Sequence, residues 1–474
     1  MSLVKNTAFM TLASIGQKLI AFVYFTIVAR SLGAQATGMY VTALAFTTLF
    51  VVFVDLGMTN VLVRESAKHK ANMQEYFSVV LMSKVLLGVG SYAIMIVAAH
   101  LLNYDIALRH LIYLSGITML FDSLHLSIYG VLRAIGNLKY EAIGIVSSQA
   151  ATLLIGGIAL FLKLPLMFLI LAFTLPSILN ATYAGIILYK KYKIKFIPRF
   201  DKIVFIYLAK ITLPFAIAAV FARVYSYIDT ILLSKLAGTT AVGFYAIPYK
   251  ITFAFQFIPL ALVAALYPRF SEYFVKDKEK LAHMFEQGVK YLLIIVLPLT
   301  VGIGILAQDI IVTFYTTEYL ASVLPLQILI SGLVFSYISF PIGAMLNACN
   351  RQVTQTIIIG IVMTINIILN VIFIPTIGIV GAASAALIGN IILAFAGYSI
   401  IPQITPISHK RIIITALKLT IAAGIMGVAV FITNMYVHFS IAVLVGVVTY
   451  PVVILLIKAI TISEIREAVV ILKR

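Results

Sequence analysis

Charge is what this sequence has least of. Asp, Glu, Lys and Arg make up 11% of its 474 residues, against 62% hydrophobic. An average soluble domain is about a quarter charged, so a chain of this size has too little polar material to cover a water-facing exterior, and a soluble globular enzyme is excluded. The single cysteine, Cys349, excludes a disulfide framework and a thiolate-rich metal site. Tryptophan is absent, which leaves 30 Phe and 25 Tyr for aromatic contacts. No phosphate-cradling Gly-rich loop ending in Lys and Ser or Thr is found, so ATP hydrolysis by the chain is not expected, and neither is a metal or cofactor.

What is abundant is apolar sequence, with a mean hydropathy of +1.11. A bilayer core of about 30 Å takes about 20 helical residues per crossing. Apolar windows fall at about 7–29, 39–62, 77–102, 111–132, 141–162, 166–189, 207–234, 244–267, 289–308, 323–346, 353–373, 379–401, 412–433 and 439–457. The first follows Lys5 and is too long for the core of a signal peptide, so it reads as a retained span. The expectation is an all-α polytopic membrane protein with about 14 transmembrane helices.

The net charge of +18 is spread as short clusters between the apolar runs, which is the pattern of membrane orientation and not of nucleic-acid binding. With the N-terminus inside, the inner segments hold 23 of the 34 Lys and Arg, while the outer ones hold only Arg30, Arg109, Lys163 and Lys235. Both termini are therefore expected in the cytoplasm of a multi-pass protein of the cytoplasmic membrane. The longest connections, 190–202, 268–288 and 309–322, are too short for an extramembrane catalytic domain.

An internal repeat is visible. Ala36-Thr37-Gly38-Met39-Tyr40 recurs as Ala241-Val242-Gly243-Phe244-Tyr245, and Leu132, Ala134 and Asn137 are echoed by Leu346, Ala348 and Asn350 with one residue deleted. Each half holds an even number of spans, so the halves enter the membrane from the same side. The predicted organisation is a six-helix bundle over 1–200, a second over 201–405, and two additional helices with a cytoplasmic tail over 406–474. Paired bundles are the usual hardware of alternating access, which makes a transporter the default class.

Four stretches carry a resemblance: Asp55-Leu56-Gly57 leading to Arg64-Glu65-Ser66-Ala67; Leu132-Arg133-Ala134-Ile135-Gly136-Asn137; Leu266-Tyr267-Pro268-Arg269; and Ile374-Pro375-Thr376-Ile377-Gly378-Ile379-Val380-Gly381-Ala382-Ala383. The chain resembles the polysaccharide or oligosaccharide flippases of the O-antigen type, within the multidrug/oligosaccharidyl-lipid/polysaccharide exporter superfamily. The resemblance implies two six-helix bundles around a cavity that carries a polyprenyl-diphosphate-linked sugar unit from the cytoplasmic to the outer leaflet. It also implies polysaccharide polymerase and assembly proteins as partners. Relatives in that superfamily export drugs or flip the peptidoglycan precursor, so the motifs speak to architecture before substrate.

Charges inside the spans mark candidate sites. Lys84, Lys210, Lys290 and Lys418 lie near span ends and read as interfacial anchors. Lys18, Arg223 and Lys250 sit deeper, and facing lipid they would cost about 8 to 10 kcal/mol together, so they are expected to meet an aqueous cavity or an acidic partner. Arg223, Ser226, Tyr227, Thr230 and Ser234 share one helical face, as do Thr7, Thr11, Ser14 and Lys18. Guanidinium and ammonium suit a lipid diphosphate, with structural ion pairing as the rival role. Lys250 is a third candidate that can also snorkel.

Asp122 aligns with His125, Tyr129 and Arg133, which makes Asp122 and His125 a candidate protonation site unless Asp122 pairs with Lys18 or Arg223. Asp55 and Asp229 read as structural or gate ion pairs, Asp55 capping its loop and Asp229 facing Lys235 or Lys250. Tyr227, Tyr249, Asn366 and Asn370 are candidate sugar contacts, the amides serving equally as glue between helices. Two rivals to the flippase remain. One is a cation-coupled multidrug exporter on the same fold, for which an acidic cavity would be needed. The other is a membrane polymerase or glycosyltransferase, for which no extramembrane domain is visible.

Overall fold

A computed structural model describes the backbone of residues 3–460 and the side chains of that stretch other than 3–8, 214 and 215. Thr7 and the basic residues Lys5, Arg466, Lys473 and Arg474 thus lie outside the described side chains, and the expected tail beyond 460 lies outside the described residues. Among the described residues all regular secondary structure is helical, as lipid demands of a backbone that must satisfy its own hydrogen bonds.

The helices are α1 (Leu3–Asp55), α2 (Met58–Lys68), α3 (Met73–Leu101), α4 (Ile106–Ala134), α5 (Lys139–Phe161), α6 (Met167–Tyr192), α7 (Lys202–Leu236), α8 (Thr239–Ala254), α9 (Phe257–Lys276), α10 (Lys278–Ile305), α11 (Ala307–Tyr315), α12 (Val323–Ala348), α13 (Gln352–Tyr398), α14 (His409–Tyr436) and α15 (Phe439–Leu456).

Among the described residues, 12 segments are long and apolar enough to cross a membrane. The two longest, Phe9–Asp55 with 47 residues and Gln352–Gln403 with 52, exceed twice the length one crossing needs. Each is broken by a glycine in the left-handed region, Gly33 at φ 72° and Gly378 at φ 57°. The count of 12 is roughly consistent with the about 14 expected, and the breaks fall between the windows at 7–29 and 39–62 and between those at 353–373 and 379–401.

The second repeat signal takes a different register in space. At the end of α4 the N–H of Asn137 donates to the Leu132 carbonyl at 3.0 Å, and at the end of α12 that of Arg351 donates to the Leu346 carbonyl at 2.8 Å. Gly136 (φ 81°) and Asn350 (φ 60°) supply the left-handed residue that such a helix stop requires. Asn350 therefore corresponds to Gly136 and Arg351 to Asn137, with no deletion. Glycine and asparagine share this position because both tolerate positive φ, whereas the two asparagines were similar only in name.

Packing divides the chain into two compact units, Met1–Ala246 and Ile247–Arg474. In the first, Val28, Phe46, Leu108, Ile112 and Ile170 form one buried cluster, and Phe77, Leu62, Leu132 and Leu188 another. The second unit is centred on Phe285, Leu292, Val296, Tyr337 and Leu419. The packing boundary lies inside α8, about 45 residues beyond the repeat boundary at 200, because α7 packs on α1, α2 and α3.

Candidate transport site

In the first unit α4 is a polar spine inside an apolar bundle. Its residues 122, 125, 129 and 133 share a face, as their spacing predicts, and the neighbouring helices answer three of them with partners. Ser177 of α6 donates to Asp122 Oδ1 at 2.5 Å, and His125 Nδ1 stands 3.7 Å from the same oxygen. Tyr129 donates to Asn180 Oδ1 at 2.5 Å, with its ring against His125. Arg133 forks onto the buried carboxylate of Glu141 on α5, with Nε at 2.8 Å from Oε2 and Nη2 on Oε1. Gly144 of α5 makes room for this, since a Cβ there would stand 1.9 Å from the Tyr129 hydroxyl and 2.5 Å from Asn180 Oδ1. Asp122 keeps 39% of its side chain exposed while His125 keeps 15%. The acid thus faces accessible space, with the largely buried His125 imidazole behind it.

The Asp55-Leu56-Gly57 stretch is the turn joining α1 to α2. Leu56 and Gly57 both take positive φ, and the Asp55 carboxylate closes the turn by accepting from Gly57 N at 3.1 Å and from the Thr59 hydroxyl. Its counter-ion is Lys84 of α3, with Nζ 2.6 Å away and only 4% of the side chain exposed. Lys84 also donates to Thr59 Oγ1 and to the Ser123 carbonyl, both at 2.9 Å. This corrects the reading of Lys84 as an interfacial anchor: its ammonium turns inward because three acceptors wait there, none of them near it in sequence. Glu65, from the adjoining Arg64-Glu65-Ser66-Ala67 stretch, is buried where Tyr207 of α7 donates to it at 2.8 Å, flanked by Arg64 and Lys68. Burial pushes its carboxyl upward, yet the Tyr207 hydrogen bond and the two cations together hold it below the usual range.

Lys18 on α1 and Arg223 on α7 are both half-buried, on helices that pack together within this unit. Arg223 lies over the Tyr227 ring at 5.7 Å. The polar face of α7 is open only over this part. Further along, Thr230 and Ser234 are buried, and Ser234 meets the Tyr104 hydroxyl at 2.6 Å. Asp229 is buried too, accepting from Tyr245 at 2.7 Å and from Thr230 N at 2.8 Å, while Lys235 donates to the Leu102 carbonyl. The expected Asp229–Lys235 pair is thus replaced by a tyrosine contact, because the buried Tyr245 reaches the carboxylate and Lys235 can reach the surface.

The same end shows how the first repeat is used. A Cβ on Gly38 would stand 1.7 Å from the Thr239 carbonyl oxygen and 2.9 Å from Gly243 N, and one on Gly243 would stand 1.9 Å from the Ala34 carbonyl oxygen. The two copies of the motif touch each other reciprocally, backbone on backbone, at the one residue type that permits it.

In the second unit Lys250 is exposed on α8 and Tyr249 stacks on Phe253 at 6.0 Å. Asn366 and Asn370 are buried in α13, where the Asn370 amide donates to the Asn366 carbonyl at 2.9 Å and to its Oδ1 at 3.1 Å. These bonds lie within one helix, and the buried Oδ1 of Asn370 has no hydrogen-bond partner among the described residues. An apolar cleft of about 590 Å³ lies among α9, α10, α14 and α15, lined by Phe255, Phe257, Pro298, Met426, Val447 and Pro451 among others. Among the described residues no cluster of His, Cys, Asp and Glu is arranged to hold a metal.

Known proteins similar to the chain are membrane flippases and transporters. The chain is 29% identical over 247 residues to a probable flippase, AglR, of Haloferax volcanii, covering 49% of this chain and 50% of that protein. It is 24% identical over 381 residues to a putative O-antigen transporter of Shigella flexneri, covering 75% and 88%. Among solved structures it superposes on an inward closed lipid II flippase MurJ with a TM-score of 0.79 at 19% identity, over 94% of this chain and 97% of that one. An inward-facing multidrug resistance MATE transporter gives 0.68 at 16%, over 81% and 93%. Residues 214–372 match the MatE family profile, and residues 3–274, more than half of the chain, match that of the polysaccharide biosynthesis proteins. This multi-pass membrane protein, with the fold of flippases and MATE transporters, belongs to the polysaccharide biosynthesis protein family.

Proposed function

We propose that the chain is a flippase that moves polyprenyl-diphosphate-linked oligosaccharide units from the cytoplasmic to the outer leaflet by alternating access, without catalysing a reaction, in a cytoplasmic membrane with both termini inside. The observation that carries this reading is the half-buried pair of cations in the first unit, Arg223 over Tyr227 on α7 and Lys18 on α1, on helices long and apolar enough to cross a membrane. Cations held at such depth are stable only beside water or an anion, and a lipid diphosphate is a polyanion. The planar guanidinium takes two phosphate oxygens and the ammonium acts as a point charge. In the second unit, taken by itself, Lys250 is a further candidate cation and Tyr249 a candidate stacking face, and polymerase and assembly proteins are the expected partners. Relatives named as a flippase and as an O-antigen transporter support the same reading.

A second reading, a cation-coupled multidrug exporter, is favoured by one observation only, the exposed Asp122 carboxylate. The two separate in proteoliposomes. A fluorescent polyprenyl-diphosphate oligosaccharide should be flipped by the wild type and lose most of its rate in the Lys18→Ala, Arg223→Ala double variant, with Lys18→Arg retaining more activity than Lys18→Ala. Normal flipping by the double variant would refute the diphosphate role, and uptake of cationic dyes in place of the lipid would favour the exporter.

A further inference from the structure

The connection from α6 to α7, in the first unit, is the most basic stretch of the chain. Lys190, Lys191, Lys193, Lys195 and Arg199 fall within ten residues, and no acid stands among them. Asp201, which follows, is spent on α7: its carboxylate accepts from the N–H groups of Ile203 at 2.9 Å and Val204 at 3.1 Å. Three apolar windows meet at this connection, that of α3 beginning at 77, that of α6 ending at 189 and that of α7 beginning at 207. It therefore lies at the level where hydrocarbon gives way to headgroups.

The connection is a folded strap. α6 stops where Lys193 takes the left-handed conformation at φ 57°, and the N–H of Ile194 donates back to the Leu188 carbonyl at 3.3 Å. Gln74 of α3 then pairs with the Lys195 backbone in both directions, its Oε1 accepting from Lys195 N at 2.8 Å and its Nε2 donating to the Lys195 carbonyl at 2.9 Å. The Phe196 ring meets Phe77 edge to face at 5.4 Å, and Arg199 N donates to the Ser78 carbonyl at 3.3 Å. With the backbone held against α3, the side chains of Lys193, Lys195 and Arg199 are exposed, as are Ile197 (52%), Phe200 (53%) and Ile203 (82%) in the first turn of α7. Cations and apolar side chains thus share one outer surface, and the apolar ones need cover that water does not give.

We propose that the strap and the first turn of α7 form a docking surface for anionic glycerophospholipids of the bilayer, the basic side chains taking headgroup phosphates while Ile197, Phe200 and Ile203 seat at the acyl boundary. Charge complementarity carries the choice of lipid: a row of basic side chains at a membrane surface gathers acidic headgroups, over a range set by the Debye length. Exposed apolar residues beside such a row are the pattern of a segment lying in the interface. A soluble acidic protein offers the charge without the apolar layer. The bias of basic residues toward one face, which orients any polytopic chain, asks nothing of a loop's shape. Here Gln74 and Phe77 fix the shape, which a recognition surface requires and an orientation signal does not. The surface uses none of the residues assigned to the diphosphate, so it goes beyond the flippase reading and does not depend on it.

The test uses the full-length protein in phosphatidylcholine nanodiscs containing a minority of phosphatidylglycerol with a photoreactive headgroup, and cross-linked peptides are identified by mass spectrometry. In the wild type the cross-links should concentrate in 193–203, several-fold above the other basic segments at 64–70 and 268–288. Unlabelled phosphatidylglycerol should compete, and added phosphatidylcholine should not. The Lys193→Gln, Lys195→Gln, Arg199→Gln variant keeps the backbone contacts and should lose most of the signal. Ile197→Ser with Phe200→Ser should lower it several-fold with every cation in place. Gln74→Ala, which leaves the strap's own composition intact, should lower it by releasing the backbone. Should the triple variant fail to fold, the last two carry the test. The proposal is overturned if cross-linking is unchanged in these variants, if it spreads evenly over all the basic segments, or if soluble polyglutamate displaces the lipid as effectively as phosphatidylglycerol does.

Discussion

Lys84 has its ammonium 2.6 Å from Asp55 and almost no contact with solvent, so its worth to the protein depends on what replaces it. Lys84→Ala leaves a half-buried carboxylate without its cation and should cost roughly 3 kcal/mol, read as a fall in the apparent Tm in detergent. Lys84→Met with Asp55→Asn removes both charges while keeping volume and the Gly57 and Thr59 contacts, and should recover most of that loss. Equal destabilisation by both variants would show that the pair is held by packing and not by charge. Glu65 makes a pH prediction. Its folded carboxyl lies below the ordinary range, so it adds stability above the unfolded value, about 4.3, and this is lost as the pH falls through the folded one. Hydrogen exchange in α2 should therefore accelerate below about pH 4, and Glu65→Gln should flatten that response. Cys349 is 2% exposed, and burial raises its thiol to about 11, from 9.0, despite Lys278 nearby. Its thiolate fraction at neutral pH falls roughly a hundredfold, so maleimide should label it far more slowly than an engineered surface cysteine. Topology is thus better mapped with introduced cysteines in a Cys349→Ser background.

Elements are held at their ends by a few backbone decisions. The reciprocal contact between Gly38 and Gly243 admits no side chain, since the nearest atoms are carbonyl oxygens that cannot rotate away. Gly38→Ala and Gly243→Ala should each cost about 1–3 kcal/mol and part the α1 break from the start of α8. Both losses should be read as a lower apparent Tm in detergent. An unchanged Tm in both variants would mean that the helices yield elsewhere. The repeat itself was legible as a string of matching letters. That its first copies touch was not, because sequence spacing carries no information on which turns meet. The register of the second copy was misread for a related reason: the backbone at Gly136 and Asn350 conserves a conformation and not a residue.

For the whole molecule, the open question is what drives transport. Asp122 accepts from Ser177 and is 39% exposed beside His125, and if it is the protonation site its titration would bias one state of the protein over the other. A potential acting on a charged substrate complex would supply about 2.3 kcal/mol per charge per 100 mV with no such site. In proteoliposomes an imposed pH gradient at zero potential should drive flipping in the wild type and not in Asp122→Asn. If the variant responds as the wild type does, Asp122 is a structural partner within the bundle and the potential is the remaining drive.

The sequence by itself determined the fold class, the approximate number of crossings, the family-like stretches and the polar face of α4, because each of these is written in composition or in short-range periodicity. Twenty apolar residues in lipid have no alternative to a helix, and residues 122, 125, 129 and 133 share a face on any helix. Only the tertiary structure decided the partners. Lys84 reached inward to Asp55, Asp229 took Tyr245 and left Lys235 to a carbonyl, and Asn366 and Asn370 bonded to each other inside α13. The physical reason is the same in each case. A polar group buried among apolar neighbours must find its complement within about 3 Å, and which group lies within 3 Å is set by how helices pack, a distance that no pattern along the chain encodes.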